Sequence, residues 1–316
     1  MTYKDVAHRG YQRFLGIRNQ FRGLLKGQSR SDYLNLLRSK GVRFKVVPVN
    51  DYRMKIDLND NVITPNLFLS GQWEPYESQL MANLLTPGMT VIDVGAHVGY
   101  YSLLAARAVG PTGQVIAFEP SPDNYALLTE NIELNNLANV IRAENVALDE
   151  RSGERSLYLS TFNTGDHRIY STLSDDDQMF NAGAQRNSVR VSVRSLDEYL
   201  SERNIASVDM IKIDVQGAEM AVLSGMRKTL SSNPNIILFT EFWPHGLSRF
   251  GTSAQTLLSF LIEEVGFSLF HILPEVQRLE PIEPLRFLST AQDLDPLQQV
   301  DLLCCLNPAL LENLKA

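Results

Sequence analysis

A chain of 316 residues with 44% hydrophobic and 9% aromatic residues has material for a sizeable packed core, and it shows no low-complexity tract or repeat period. Its two cysteines, Cys304 and Cys305, are sequence neighbours, which excludes a disulfide scaffold and the spaced ligand sets of structural zinc. No run approaches the roughly 18 to 20 apolar residues of a membrane span and no secretory block opens the chain, so a soluble cytoplasmic protein is expected.

Charge divides the chain. Residues 1–50 hold eleven Lys or Arg against two acids, a charge of +9, which leaves −16 for the remainder of a chain whose net charge is −7. Within the basic part, Tyr11, Phe14, Leu15, Phe21, Leu24 and Leu25 fall at near-helical spacing, with Arg18, Arg22 and Lys26 elsewhere around the helix. Tyr11 to Lys26 therefore reads as a basic amphipathic helix that packs on the main domain or docks to an anionic lipid, glycan or carrier protein. Val42–Val49 and Arg53–Leu58 flank Asn50 and Asp51 as a small hairpin would. Residues 1–65 are thus expected to be a basic helical extension with a hairpin, and 66–316 the principal domain.

From there strand and helix alternate. Expected strands are Thr90–Val94, Gln114–Phe118, Val140–Ala147, Val208–Ile213, Ile236–Thr240, Phe267–Ile272 and Val300–Leu306. Expected helices are Glu74–Leu85, Tyr101–Val109, Pro122–Asn135, Ala218–Leu230 and Ser253–Val265. Near-continuous apolar strands between amphipathic helices indicate a doubly wound α/β fold, a parallel sheet covered on both faces. Residues 156–194 interrupt the rhythm with a polar stretch and the alternating SVRVSVRS, and an insert of this kind is a natural place for substrate specificity.

The stretch TVIDVGAHVGYYSLL (90–104) puts Gly95 and Gly99 between an apolar strand and a helix, where open α/β sheets bind ligands. The dinucleotide pattern of three glycines is missing, which weakens the reading of a nicotinamide oxidoreductase. Glu119 ends the next strand, 26 residues after Asp93, near the offset at which an acid meets a ribose. S-adenosylmethionine fits such a turn, with its amino-acid end on the glycine backbone, its ammonium near Asp93 and its ribose on Glu119.

Five ordered stretches, GQWEPYESQLMANLLTPGMTVIDVGAHVGYYSLLAA, GQVIAFEPSPDNYALLTENIELN, NVALDERSG, RSLDEYL and VDMIKIDVQGAEMAVLSGM followed by ILFTEFWP, resemble the FkbM-type S-adenosylmethionine-dependent methyltransferases over roughly Phe68 to His245. His97 stands where that pattern has asparagine, which makes the charge at this position sensitive to pH. Gln216 stands where it has glutamate, and so lacks the charge that a metal or acid role there would use. The resemblance implies a Rossmann-like seven-stranded methyltransferase sheet with helices on both faces, Val300–Leu306 running antiparallel. It also implies O-methylation of sugars or secondary metabolites.

Several residues are candidates for the site. Gly95, His97, Gly99, Tyr100, Pro120, Ser121, Asn145 and Ala147 lie where the turn and strand ends would contact the cofactor, and Glu77 precedes the first strand and could close over it. Tyr100, Asn145 and Glu77 have core or turn roles as alternatives. Removal of an acceptor proton needs a base, and His167, Asp214 and His245 are the candidates, Asp214 also as a cofactor contact. An exposed loop position and a helix cap are the alternatives for the two histidines. Asp166, Arg168 and Glu241 are expected on the substrate, and no metal site is expected. Glu219 opens a helix, where an acid also stabilises the dipole.

The expected activity is methylation of a hydroxyl on a sugar, glycolipid or secondary metabolite. The alternatives are N-methylation of a small molecule and a nonenzymatic S-adenosylmethionine-binding module. Nucleic acid is not expected as a partner, because the domain carrying the turn is acidic and backbone binding needs a basic track. A place at the inner membrane surface would rest on the basic N-terminal helix.

Overall fold

The computed structural model describes residues 30–170, 186–291 and 298–314. The expected helix Tyr11 to Lys26 lies outside the described residues. A helix at Arg30–Ser39 leads into β1 (Phe44–Val49) and β2 (Tyr52–Asp57), which pair antiparallel across a two-residue turn at Asn50 and Asp51. This hairpin is fastened to the helix Pro122–Leu134. Asn131 accepts the Lys55 N–H at 2.6 Å and donates to the Lys55 and Val98 carbonyls, while Asn135 exchanges hydrogen bonds with the Arg53 backbone.

Strands β3 (Thr90–Val94), β4 (Gln114–Phe118) and β5 (Ile141–Glu144) begin the main sheet. Short strands β6 (Ala147–Leu148), β7 (Gly153–Tyr158) and β8 (Ser188–Arg194) follow, and the sheet resumes with β9 (Met210–Ile213), β10 (Ile237–Phe242), β11 (Ser268–Leu273), β12 (Arg278–Pro281) and β13 (Val300–Cys305). The order is β12-β11-β13-β10-β9-β3-β4-β5, with β3, β4, β5, β9 and β10 parallel and β13 antiparallel to both neighbours. This is the Rossmann-like methyltransferase sheet, with β12 added at one edge to make eight strands rather than seven.

Both faces are covered, which explains why these strands are apolar almost without interruption. Along β9, Met210 packs into one core and Ile211 and Ile213 into the other. Cys304 and Cys305 are buried free thiols on opposite faces of β13.

Two expected elements are divided. The strand Val140–Ala147 stops at Glu144, because Asn145 turns to donate its amide to the Glu119 and Pro120 carbonyls at 2.9 and 3.1 Å. Ala147 and Leu148 then join a separate three-stranded sheet, β6-β8-β7, built mainly from the insert. The helix Ala218–Leu230 is broken into Glu219–Ser224 and Arg227–Ser232. At the break Gly225 packs so closely on residues 149–150 that a β-carbon there would lie 2.1 Å from the Asp149 carbonyl oxygen.

Candidate active site

The turn after β3 runs against the end of β9. Gly95 has φ +82°, and a β-carbon on it would sit 2.0 Å from the Asp214 carbonyl oxygen, so the position demands glycine both for its conformation and for the close approach. The Gly95 and Ala96 N–H groups both donate to the Phe118 carbonyl at 3.0 Å, tying the turn to the end of β4. Beyond these strand ends opens a cavity. Gly95, His97, Glu119, Pro120, Ala147, His167 and Asp214 line it, all of them expected, together with Phe118, Asn124, Thr164 and Gln216.

On the β4 side, backbone groups build the wall. The Glu119 carboxylate accepts the His97 and Ser121 N–H groups, each at 2.8 Å. Burial nevertheless pushes its pKa up to about 7, against these stabilising bonds. The Ser121 hydroxyl caps the helix Pro122–Leu134 by accepting the Asn124 N–H, and the Asn124 amide donates to the Thr164 carbonyl at 3.0 Å.

On the β9 side, side-chain charge dominates. Lys212 is the register partner of Asp93 and donates to Asp214 at 3.0 Å. Its ammonium lies 4.6 Å from the centre of the Tyr101 ring, and the Tyr101 hydroxyl donates to Glu74 at 2.6 Å. The Gln216 amide donates to Asp214 at 2.9 Å and to Glu241 at 3.1 Å, and Asp301 is the cross-strand partner of Glu241. Burial pulls Lys212 down, but Asp214, Asp93 and Glu74 outweigh it and hold its pKa above the ordinary value. Desolvation likewise opposes ionisation of Asp214, yet Lys212 and Gln216 leave its carboxyl below the usual range. Glu241 is pushed far up by burial and by Asp214, Glu219 and Asp301, and Asp301 rises through burial and through Glu74, Glu77 and Asp214. Asp93 accepts from the Ser102 hydroxyl at 2.5 Å, but its Oδ1, the Glu219 Oε2 and the Glu241 Oε2 are buried without a hydrogen-bond partner.

Other expected residues lie off the cavity. Tyr100 is buried in the core, its hydroxyl engaged by Asn50 at 3.2 Å and Ser78 at 3.1 Å. Asn145 donates its side-chain N–H groups to the chain turn, the strand-end role held as the alternative to an adenine contact. Glu77 is buried in the helix Pro75–Leu84, and Gly99 precedes the helix Tyr100–Val109. His245 lies in the helix Pro244–Phe250 and accepts the Arg249 N–H at 2.7 Å, away from the cavity lining. Asp166 is gripped by Arg168 at 2.5 and 3.0 Å and by Arg186 at 2.8 Å, while Arg168 also stacks 4.7 Å from the Trp243 ring, so these two charges brace the insert. His167 does line the cavity, but its Nδ1 accepts the Ser160 N–H at 3.1 Å. Burial, His97 and Arg186 lower its pKa to about 3, so the ring is neutral at neutral pH, with Nδ1 engaged by the Ser160 backbone. Lys212, Thr164 and Asn124 were not among the expected residues. Of these only Lys212 has a sequence signal, a cation inside the apolar strand MIKI.

The residues present fit S-adenosylmethionine: a glycine turn that admits backbone approach, a carboxylate at the second strand end, and a carboxyl oxygen of Asp93 buried without a partner beneath the turn. Fold and site together define an S-adenosylmethionine-dependent methyltransferase. Residues 93–269 match the Methyltransferase FkbM domain, and the chain belongs to that family. Among curated relatives, Methyltransferase 1 of Beauveria bassiana is 27% identical over 43% of this chain and 57% of its own length. The 2-O-methyltransferase NoeI of Sinorhizobium fredii is 28% identical over 52% and 67%, and the 31-O-demethyl-FK506 methyltransferase FkbM of Streptomyces tacrolimicus is 30% identical over 45% and 61%. The chain thus spans between half and two thirds of these relatives' lengths. Among the described residues no helix is long and apolar enough to cross a membrane, and no group of three acidic, histidine or cysteine side chains is placed to hold a metal ion.

Proposed function

We propose that the protein O-methylates a hydroxyl of a small molecule or glycan, with Asp214 as the residue that receives the acceptor proton. The observation that carries this reading is the setting of Asp214. It ends β9 on the cavity wall with its side chain 36% exposed, while Lys212 and Gln216 fix both of its oxygens. Bound S-adenosylmethionine supplies a methyl group already activated as a sulfonium substituent, so the protein must align the acceptor and take its proton. Gly95 and Glu119 hold the nucleoside end, and Lys212 keeps Asp214 ionised and oriented. Gln216 links Asp214 to Glu241, which stands one strand farther from the nucleoside on the acceptor side. NoeI and FkbM, whose names specify O-methylation, support the choice of oxygen.

A second reading, N-methylation of an amine, is favoured by one observation. Glu74, Asp93, Asp214, Glu241 and Asp301 surround Lys212, and a nest of this composition attracts an ammonium group, which would give a proton to one of these carboxylates before its nitrogen takes the methyl group. Methyl transfer from labelled S-adenosylmethionine across matched alcohol and amine acceptors separates the two. For the O-methylation reading, Asp214→Asn is expected to lower kcat/KM by roughly a hundredfold or more while S-adenosylhomocysteine binds within about threefold of wild type. An equal loss of S-adenosylhomocysteine affinity would make Asp214 a cofactor holder instead. We further propose that the basic segment ahead of residue 30 docks the enzyme at an anionic membrane surface. Cosedimentation with anionic liposomes that is absent at low salt would refute this.

A further inference from the structure

The cavity is walled on one side by the loop that carries Thr164, Gly165 and His167, and this loop is held by a residue outside the family-matched stretch. Asp60 lies between β2 and the helix Ile63–Ser70 and is 1% exposed. Its Oδ1 accepts the Val62, Ile63 and Thr64 N–H groups at 3.1, 2.7 and 2.8 Å. Its Oδ2 accepts the Thr164 N–H at 2.8 Å and the Thr164 hydroxyl at 3.0 Å. The Thr164 oxygen stands 2.8 Å from the His97 Nε2. A hydroxyl has one proton, and here Asp60, an acceptor, takes it, so Thr164 can meet His97 only by accepting from Nε2–H. Burial lowers the ring's pKa and so favours the neutral form, in which Nε2 carries the proton and Nδ1 does not. His97 is itself joined to the nucleoside wall, since its backbone N–H holds Glu119.

We infer that Asp60 and Thr164 are positioning residues of the cofactor site, fixing His97 in the Nε2–H tautomer so that Nδ1 accepts a hydrogen bond from a hydroxyl of the bound nucleoside. The relay Asp60–Thr164–His97 joins three separate parts of the chain: the linker after the hairpin, the insert, and the turn after β3. Histidine suits the relay because one ring nitrogen can donate to Thr164 while the other accepts from ligand. The inference rests on the S-adenosylmethionine assignment and extends the site beyond the family-matched residues.

The test is calorimetry of S-adenosylhomocysteine and 5′-methylthioadenosine, with ¹⁵N NMR of the histidine rings, on the full chain. Thr164→Val keeps the backbone N–H on Asp60 and removes only the hydroxyl, whereas Asp60→Asn also disturbs a helix start and is secondary. Thr164→Val is expected to weaken both ligands about tenfold (roughly 1.4 kcal/mol), and Thr164→Ser to restore binding. His97→Ala should lose the same factor, with little added by Thr164→Val in the double variant. Wild-type affinity in Thr164→Val, additive losses in the double variant, or a wild-type ring protonated on Nδ1 would each overturn the inference. Failure of the wild type to bind either nucleoside would instead overturn the cofactor assignment.

Discussion

The two sides of the carboxyl edge are built from different materials. On the β4 side, Glu119 is held by the His97 and Ser121 backbone N–H groups, and the Gly95 turn is fixed by chain conformation. On the β9 side, Lys212, Asp214, Gln216, Glu241 and Asp301 hold one another through charge and amide contacts, and carboxyl oxygens of Asp93 and Glu241 are left over. A cradle built on backbone is rigid, so it suits a part of the ligand that never changes. An acid-rich nest around one lysine changes its protonation with whatever enters, so it suits the part where a proton must move.

The contrast breaks most severely at Lys212. Lys212→Met leaves the carboxylates around it without their cation, and loss of one member of a buried ion pair costs about 3 to 5 kcal/mol. Denaturant titration should show that loss, greater at pH 8 than at pH 6 because protonation relieves the uncompensated acids at lower pH. A pH-independent loss would mean that packing of the lysine stem, not charge, matters there. The β4 side should fail differently. Gly95→Ala forces a β-carbon onto the Asp214 carbonyl in a left-handed conformation, for about 2 to 4 kcal/mol of strain and overpacking. Its denaturant midpoint should shift equally at both pH values.

Much of this was legible in the sequence because burial on both sheet faces makes the strands nearly continuous in apolar residues, and β3, β4 and β13 follow that rule. The edge strand β12 escaped because RLEP is largely exposed and carries no such pattern. The strand across Asn145 and the helix across Gly225 were read as unbroken because periodicity is local, whereas their breaks come from Glu119, Pro120 and Asp149 packed from elsewhere. Gly95, Glu119 and Asp214 were readable from strand-end positions. His245 occupies a similar position, yet helix starts share that edge and its ring turns to Arg249. Lys212 was hidden by the apolar strand that contains it, although a lysine there has to be compensated by buried acids.

At smaller scale, Glu119→Ala removes a carboxylate contact from the nucleoside side, and hydrogen bonds to charged groups contribute about 2 kcal/mol. S-adenosylhomocysteine should therefore bind roughly thirtyfold more weakly, with Lys212 and its neighbours undisturbed. Unchanged affinity would shift the nucleoside contact away from the β4 end and leave the cradle's carboxylate a purely structural group.

The smallest effect is a pH dependence that belongs to the cradle alone. Burial raises Glu119 from 4.5 to about 7, so the ligand-free fold prefers the neutral carboxyl. The resulting penalty is absent below about 4.5 and grows as pH rises to about 7, which lowers stability over that window. Ligand hydroxyls that donate to the carboxylate favour the ionised form, so binding near pH 6 must release a proton and binding near pH 8 need not. S-adenosylhomocysteine affinity should accordingly rise about tenfold from pH 6 to pH 8 and then level off. His97 and His167, both held below the ordinary imidazole range by burial, add no opposing slope there. Glu119→Gln should bind more weakly at pH 8 and abolish the slope. If the slope persists in that variant, the titrating group lies in the acid-rich nest, and the two sides of the edge are coupled rather than separate.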